Sequence, residues 1–361
     1  MHVSTIRPIA KKIDSFLERI GKRRLWIQTH DMPDPDAIAS AEALRQIARS
    51  RGINARILAN GTPNRRENRA MIKECRINVY PLESAVIRNP ARSAWAYVDC
   101  VPGGSNVTLH PQAPGDLFLA IDHHGTRDPL FRNCSGGNYL VDTSAGATAS
   151  LLTMALIDLE ITYPPRLASA LSYAIITDTQ DFSRGVSASD LEVYSALFPH
   201  TNQKIISRLR NVTKPREYFQ VVHCSIENAL SYRHLSWAYI GKISGGESVA
   251  EMADYILSCE RITWSFVLGF CGDRLYMSMR SSSPRAHCSR LIRRISRGFD
   301  STVGGHTEFA GGSLRLEENA NPGDVAETLI RRYLRLGLRL KKSAADPEGT
   351  PFVVNGSKLK E

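Results

Sequence analysis

The chain has 361 residues, 42% hydrophobic and 23% charged, with 46 Lys and Arg against 36 Asp and Glu and a net charge of +10. The length sets two domains as the prior, and the composition excludes a disordered or fibrous chain and supplies apolar material for a core in each domain. The cationic excess points to a polyanionic partner, nucleic acid or nucleotides first, although solubility alone also accounts for it. Seven cysteines, at 75, 100, 134, 224, 259, 271 and 288, include no Cys-x-x-Cys pair. This argues against a disulfide framework and a structural zinc site, and sets the expectation of a reducing cytoplasm. No signal-peptide pattern opens the sequence and no apolar run approaches the ~20 residues that span a bilayer, so no membrane partner is expected.

In chain order, residues 8–21 have the spacing of an amphipathic helix, through Ile9, Ile13, Phe16, Leu17 and Ile20. "RLWIQTH" follows as a buried strand, and "DAIASAEALRQIARSRG" as a helix stopped by Gly52. "NARILAN", "AWAYVDC" (94–100) and "DLFLAIDHH" (116–124) are short strands, the last two reaching an aspartate. "GNYLVDTSAGATASLLTMALIDL" reads as a strand, a cap near Thr143 or Ser144, then a helix. "PRLASALSYAIIT" (165–177) is a helix with Leu167, Leu171 and Ile175 on one face that delivers Asp178 at its end. Alternating short apolar strands and helices imply an α/β domain with a mostly parallel sheet over 1–195. A polar, basic helical connector is expected over 196–234, and a smaller α/β domain over 235–338. The latter holds "HLSWAYIGKI", an "ESVAEMADYILSCE" helix, "TWSFVLGFCG", "RLYMSMRSS" and a basic helix at 286–298. The tail 339–361 is polar with Gly and Pro, and is expected to be flexible.

In open α/β sheets ligands gather beyond the carboxyl ends of the strands. The strand ends here carry His30, Asp34 and Asp36, then Asp99, then Asp122, His123 and His124, and Asp178 ends a helix. Each piece alone has a bland explanation. A histidine after a strand is commonly structural, "DPD" is commonly a solvated turn, and an aspartate at such a position can simply cap a helix. Together they make five aspartates and three histidines from four segments. Carboxylates packed that closely repel, and a divalent cation removes the difficulty. Mixed oxygen and imidazole ligation suits manganese, and also iron, cobalt or zinc. So many ligands favour two metals, which at roughly 3.5–4 Å apart activate a water and clamp a phosphoryl oxygen.

"THDMPDPDAIAS", "YVDC", "AIDHHG" and "IITDTQDF", in this order, resemble the four motifs of DHH-family phosphoesterases. "VDTSAGATAS" resembles the family's helix start, and "GGHTEFAGG" (304–312) the Gly-Gly-His motif of the accompanying DHHA1 domain. The resemblance spans about 25–316. It implies an N-terminal DHH domain with a mostly parallel sheet, a smaller DHHA1-like α/β domain, and an active site in the cleft between them. It also implies two manganese ions, with His30 and Asp34 on one, Asp36, His123 and Asp178 on the other, and Asp99 bridging. Asp122 would orient a histidine and His124 would face the scissile phosphate. Arg280, Gly304, Gly305 and His306 would grip the substrate. Paired glycines that open backbone N–H groups and a bidentate guanidinium suit that role, although Gly304-Gly305 alone reads more simply as a tight turn. Asp31 matches no ligand position and reads as a solvated or turn residue.

The family includes nanoRNases with pAp-phosphatase activity, cyclic-dinucleotide phosphodiesterases, RecJ-type exonucleases and exopolyphosphatases. The two-domain length favours the first group, acting on a short oligonucleotide or nucleotide, with a homodimer as an open expectation from the resemblance. Arg293, Arg294 and Arg297 would suit the phosphate chain of an exopolyphosphatase, and equally a solvated helix face. A catalytically silent nucleotide-binding protein is the third reading, and its mark would be a lost ligand. Two departures stand out. Asp99 runs into "CVPGG", where relatives often continue with a polar stretch, and Glu308-Phe309 interrupts the usual glycine-rich motif.

Overall fold

The computed structural model describes residues 8–353 apart from 62, 64, 88, 90–91, 105, 114–117, 125–137, 184, 306 and 342. The chain divides into two compact units, Met1–Val212 and Thr213–Glu361.

In the first unit the elements run α1 (Pro8–Ile20), β1 (Arg24–Gln28), α2 (Pro35–Ser50), β2 (Ala55–Ala59), α3 (Arg66–Cys75), β3 (Val79–Pro81), β4 (Ser93–Val98), β5 (Phe118–Asp122), β6 (Asn138–Val141), α4 (Thr148–Asp158), α5 (Pro165–Asp178), α6 (Ala188–Leu197) and α7 (Gln203–Arg210). The strands form one sheet in the order β3-β2-β1-β4-β5-β6, and every pairing is parallel. The strands are short and apolar because both faces are covered. On one face Leu25, Ile27, Ile57, Val98 and Ile121 pack under the helices. On the other, Trp26, Leu58, Trp95, Tyr97 and Phe118 pack under the chain that follows β3, with Trp95 stacked on His110 at 5.5 Å between ring centroids. Helix α2 is alanine-rich and buried along most of its length, with α4 and α5 against it. Proline at the first position starts α2 and α5 without wasting an N–H.

The strand order reverses between β1 and β4, which are direct neighbours. That is the topological switch point, where the loops leaving two adjacent strands diverge and open a crevice. His30 follows β1 and Asp99 follows β4.

The second unit runs α8 (Arg216–Glu227), β7 (Leu230–Tyr232), β8 (Leu235–Lys242), α9 (Glu247–Leu257), β9 (Trp264–Cys271), β10 (Arg274–Ser281), α10 (Cys288–Ile295), β11 (Ser301–Gly305), β12 (Phe309–Arg315), α11 (Pro322–Gly337) and β13 (Thr350–Pro351). Its sheet has the order β11-β12-β10-β9-β8-β7-β13, and only β8–β9, joined through α9, is parallel. Alternation along the strands sends Phe266, Leu268, Met277 and Met279 to the face covered by α10 and α11, and Ala238, Ile240 and Val267 to the face covered by α9.

Three features differ from the sequence reading. The stretch 196–234 is not one connector, because α7 belongs to the first unit and α8 to the second. Up to Val353 the tail is engaged with the second unit: β13 pairs with β7, the Phe352 N–H donates to the Ala229 carbonyl, and Asp346 takes ion pairs from Arg331 and Arg335. Its polarity reflects an edge strand and ion pairs. The cap placed near Thr143 or Ser144 is an Asx turn, in which Asp142 accepts from the Ser144 N–H and hydroxyl. Helix α4 starts later, at Thr148.

The loop before α4 is fixed from a distance. Asp190, fully buried on α6, accepts from Gly146 N at 2.9 Å and from the Ser187 N and Oγ at 2.7 and 2.5 Å. Asp190→Ala strands these donors and removes a capping box, so it should lower unfolding free energy by about 2–4 kcal/mol. Urea denaturation checks this, and a loss within error of zero would mean the loop is held by something else.

Candidate metal centre

The loop from β1 into α2 carries the first ligands. His30 follows the strand by two residues, Asp34 is the N-cap of α2 and accepts from the Ala37 N–H at 3.0 Å, and Asp36 lies in the first turn. Asp99 leaves β4 with φ +58°. This is left-handed backbone that few residues other than Gly, Asn and Asp adopt, and it holds Asp99 at the switch point. Asp122 is the last residue of β5, with His123 and His124 directly after it, and Asp178 is the last residue of α5. The structure brings these eight residues of the first unit together.

They form interlocking trios. His30, Asp34 and Asp99 make one, Asp36, His123 and Asp178 a second, and Asp99, His123 and His124 a third, with ligand atoms in each trio within 4.8 Å of one another. Asp99 stands between the first two. Its Oδ2 is 3.6 Å from His30 Nε2 and its Oδ1 is 3.8 Å from His123 Nε2. His123 Nε2 also lies 3.2 Å from Asp178 Oδ2 and 3.9 Å from Asp36 Oδ2.

The imidazole protons can be placed from their partners. His30 Nδ1 faces the Asp31 carbonyl at 2.9 Å and His123 Nδ1 the Ala145 carbonyl at 3.2 Å. A carbonyl only accepts, so both Nδ1 atoms carry the proton and both Nε2 atoms turn toward the carboxylates. In a neutral ring each Nε2 is a lone pair facing anionic oxygens, and His123 Nε2 is buried with no hydrogen-bond partner. A cation between imidazole nitrogen and carboxylate oxygen satisfies both groups. The donor set of nitrogens and carboxylate oxygens suits manganese and its neighbours, and the residues therefore fit a pair of divalent ions.

The carboxylates carry the same strain. Burial first, then Asp178, pushes Asp36 up to about 7. Burial, followed by Asp36 and Asp34, pushes Asp99 well above the usual carboxylate range. His124 is raised, chiefly because its Nδ1–H donates to Asp122 Oδ1 at 2.9 Å, an oxygen that also accepts the His124 N–H. Asp122 belongs to none of the trios.

The sequence reading missed the contribution of α4. Its first N–H groups have no local side-chain cap. Asp36 supplies one from α2, with Oδ2 accepting Thr148 N and Oδ1 accepting Ala149 N, each at 2.7 Å. The Thr148 hydroxyl donates to Asp99 Oδ1 at 2.9 Å. An absent Ser, Thr, Asp or Asn immediately before Thr148 was the available signal. Asp31 is also more than a solvated turn residue. Its carboxylate accepts from Thr108 N at 3.0 Å and Thr108 Oγ1 at 2.7 Å. Burial opposes its charge, but these bonds hold it below its ordinary value.

In the second unit, Arg280 on β10 donates through Nε to Asp254 at 2.6 Å and through Nη1 to Ser278 Oγ and the Met279 carbonyl, over the Phe309 ring. A bidentate phosphate contact requires one of these edges to be released. Gly304 has open space where a Cβ would stand, whereas at Gly305, with φ +141°, a Cβ would lie 2.4 Å from Ala310 Cα. His306 lies outside the described residues.

No protein-family model matches the chain. An uncharacterized protein of Methanocaldococcus jannaschii is 30% identical over 300 residues, 83% of this chain and 59% of the relative, so the chain spans about three fifths of that protein's length. An exopolyphosphatase-related protein from Bacteroides fragilis superposes with TM-score 0.71 at 16% identity, covering 92% of this chain and 97% of that one. RecJ in complex with Mn2+ from Thermus thermophilus gives 0.53 at 14% identity, covering 94% and 56%. The chain shares the fold of these two proteins. Among the described residues no helix is long and apolar enough to cross a membrane.

In the metal-free chain a carboxyl with a raised folded pKa keeps its proton in the native state while the unfolded chain has lost it. Its stabilising contribution is present below about pH 4 and is lost as pH rises toward 7, the value for Asp36. Asp99→Asn keeps a residue suited to left-handed backbone and removes one charge. In EDTA at pH 8 it should melt higher than the parent, by about 2–4 °C per kcal/mol relieved. It should also gain less from added manganese. A variant that melts lower in EDTA, or gains as much from manganese, contradicts this.

Proposed function

We propose that the chain is a divalent-metal-dependent phosphoesterase that cleaves short oligonucleotides or small nucleotides, in the manner of nanoRNase and pAp-phosphatase enzymes, with manganese as the working metal. The observation that carries this reading is the pair of His/Asp trios at the switch point of the sheet, with Asp99 a member of one and its Oδ1 3.8 Å from His123 Nε2 of the other. Support comes from the shared fold with RecJ in complex with Mn2+, and from the cationic excess of the chain.

Bound metals would supply water activation at neutral pH and charge compensation on phosphoryl oxygens. The chain's own residues do the rest. His30, Asp34 and Asp99 would hold one ion, and Asp36, His123 and Asp178, with Asp99, the other. Asp122 fixes the His124 ring through Nδ1, which leaves Nε2 for the substrate. As water forms its bond to phosphorus and the ester P–O bond breaks, the departing oxygen takes a proton from His124 Nε2, the hydrogen bond to Asp122 raises the ring's affinity for that proton, and the proton the water loses passes to solvent. Arg280, Gly304, Gly305 and His306 are the second unit's candidates for contact with the substrate.

Manganese-loaded protein offered pApA should release mononucleotide, and an Asp122→Ala/His123→Ala chain should not. His124→Ala should lower kcat at least about 10²-fold while manganese binding is retained. Arg280→Ala should raise KM for the dinucleotide with little change in kcat. Chromatography of products decides, and no turnover of pApA, pAp or a cyclic dinucleotide would sink the nucleotide reading. A second reading, exopolyphosphatase, is favoured by the fold shared with an exopolyphosphatase-related protein. Phosphate release from polyphosphate without nucleotide turnover would establish it.

A further inference from the structure

The second unit has an arginine cluster that the phosphoesterase reading does not use. Between Asp273 and Asp300 the chain carries seven arginines and no acidic residue. Four cationic side chains, Arg285, Arg290, Arg294 and Arg339, surround a hollow of about 240 Å³ with no acidic residue in its lining. Its floor includes Leu291 and the half-buried ring of Trp264. His287, Arg290 and Arg294 fall at helical spacing and so share one face of α10.

The cluster lies on the sheet face opposite Arg280. Met279 points to the α10 and α11 side, so its neighbour Arg280 points to the other, where it pairs with Asp254 of α9.

Several other arginines of this unit have partners, although the guanidinium groups of Arg293 and Arg297 on the same basic stretch have none among the described residues. Arg274 donates to Ser313, Arg315 pairs with Asp273, and Arg331 and Arg335 pair with Asp346. Among the described residues, the guanidinium groups of Arg285, Arg290, Arg294 and Arg339 have no hydrogen-bond or ion-pair partner. Helix stability does not explain the pattern. Arg294 in the last turn suits the helix dipole, but Arg285 precedes α10 and Arg290 sits in its first turn, where cations are disfavoured. Arg290 and Arg294 also form a like-charged i,i+4 pair. Repelling cations beside a partly buried indole are what a phosphate backbone with a stacked base would relieve.

We infer that this hollow is a docking site for single-stranded nucleic acid, with phosphates on the four arginines and a base against Trp264. The site belongs to the second unit and shares no residue with the metal centre, and the inference does not depend on catalysis. The test is fluorescence anisotropy of a labelled oligouridylate with the full chain in EDTA, over a range of salt. Four phosphate contacts at roughly −0.7 each give a log–log salt slope of about −3. Arg290→Glu/Arg294→Glu should bind about tenfold or more weakly with a shallower slope. Arg274→Glu/Arg315→Glu, with the same change in net charge, should bind like the parent. Trp264→Leu should weaken binding about fivefold with the slope unchanged. Binding should persist in the Asp122→Ala/His123→Ala chain, so failure of ester cleavage and failure of this site are distinguishable.

Equal losses in the two charge-reversal variants would overturn the site in favour of a net-charge effect. Arginine-dependent binding of polyphosphate or phosphatidylglycerol vesicles, with oligouridylate unbound, would overturn nucleic acid as the ligand.

Discussion

Two carboxylates, those of Asp36 and Asp99, are 1% and 3% exposed and lie in one cluster with Asp34, Asp122 and Asp178. At that burial water screens the two charges poorly, so their mutual repulsion is far stronger than at a surface. Much of the first unit's architecture holds these charges against that repulsion. The β1–β4 junction supplies the place, and α2, α4 and α5 bring the remaining groups to it.

The means of holding them are specific. Asp36 takes two backbone N–H groups at the start of α4, and the helix dipole favours its charge there. Asp34 does the same for its own helix. Asp99 has one hydroxyl, from Thr148, and a left-handed backbone that costs of order 1–3 kcal/mol. These contacts offset only part of the cost of burial and of repulsion, because Asp36 and Asp99 are still pushed upward. The rest is what a pair of divalent ions would neutralise, and the two inward-facing Nε2 atoms are placed for the same ions. Asp122 is set apart from this by its hydrogen bonds, which it spends on orienting His124.

Much of this was legible in the sequence because each site residue sits at an element end with a strong local signature. Apolar runs of five or six residues gave the strands, and proline gave the starts of α2 and α5. Where the signal is weak the reading stopped. Helix α3 is "RENRAMIKEC", with only Asn68, Met71 and Cys75 buried, so its period was hidden in polar residues. The antiparallel arrangement around β11 and β12 depends on long-range pairing that glycine-rich strands do not announce. The missing local cap of α4 was legible, but not its substitute, because the carboxylate comes from residue 36, more than a hundred positions earlier. The tail misled for the opposite reason, since its polarity matches a disordered segment while its ion pairs to α11 and its strand pairing hold it in place.

The claim on which the rest depends is that the first unit holds two divalent ions sharing Asp99. Equilibrium dialysis against manganese, with metal counted per chain, tests it most directly. Two ions should bind the parent, one should remain in Asp36→Ala, and one should remain in His30→Ala. A stoichiometry of one or none in the parent, or single variants that leave the count at two, would contradict the account.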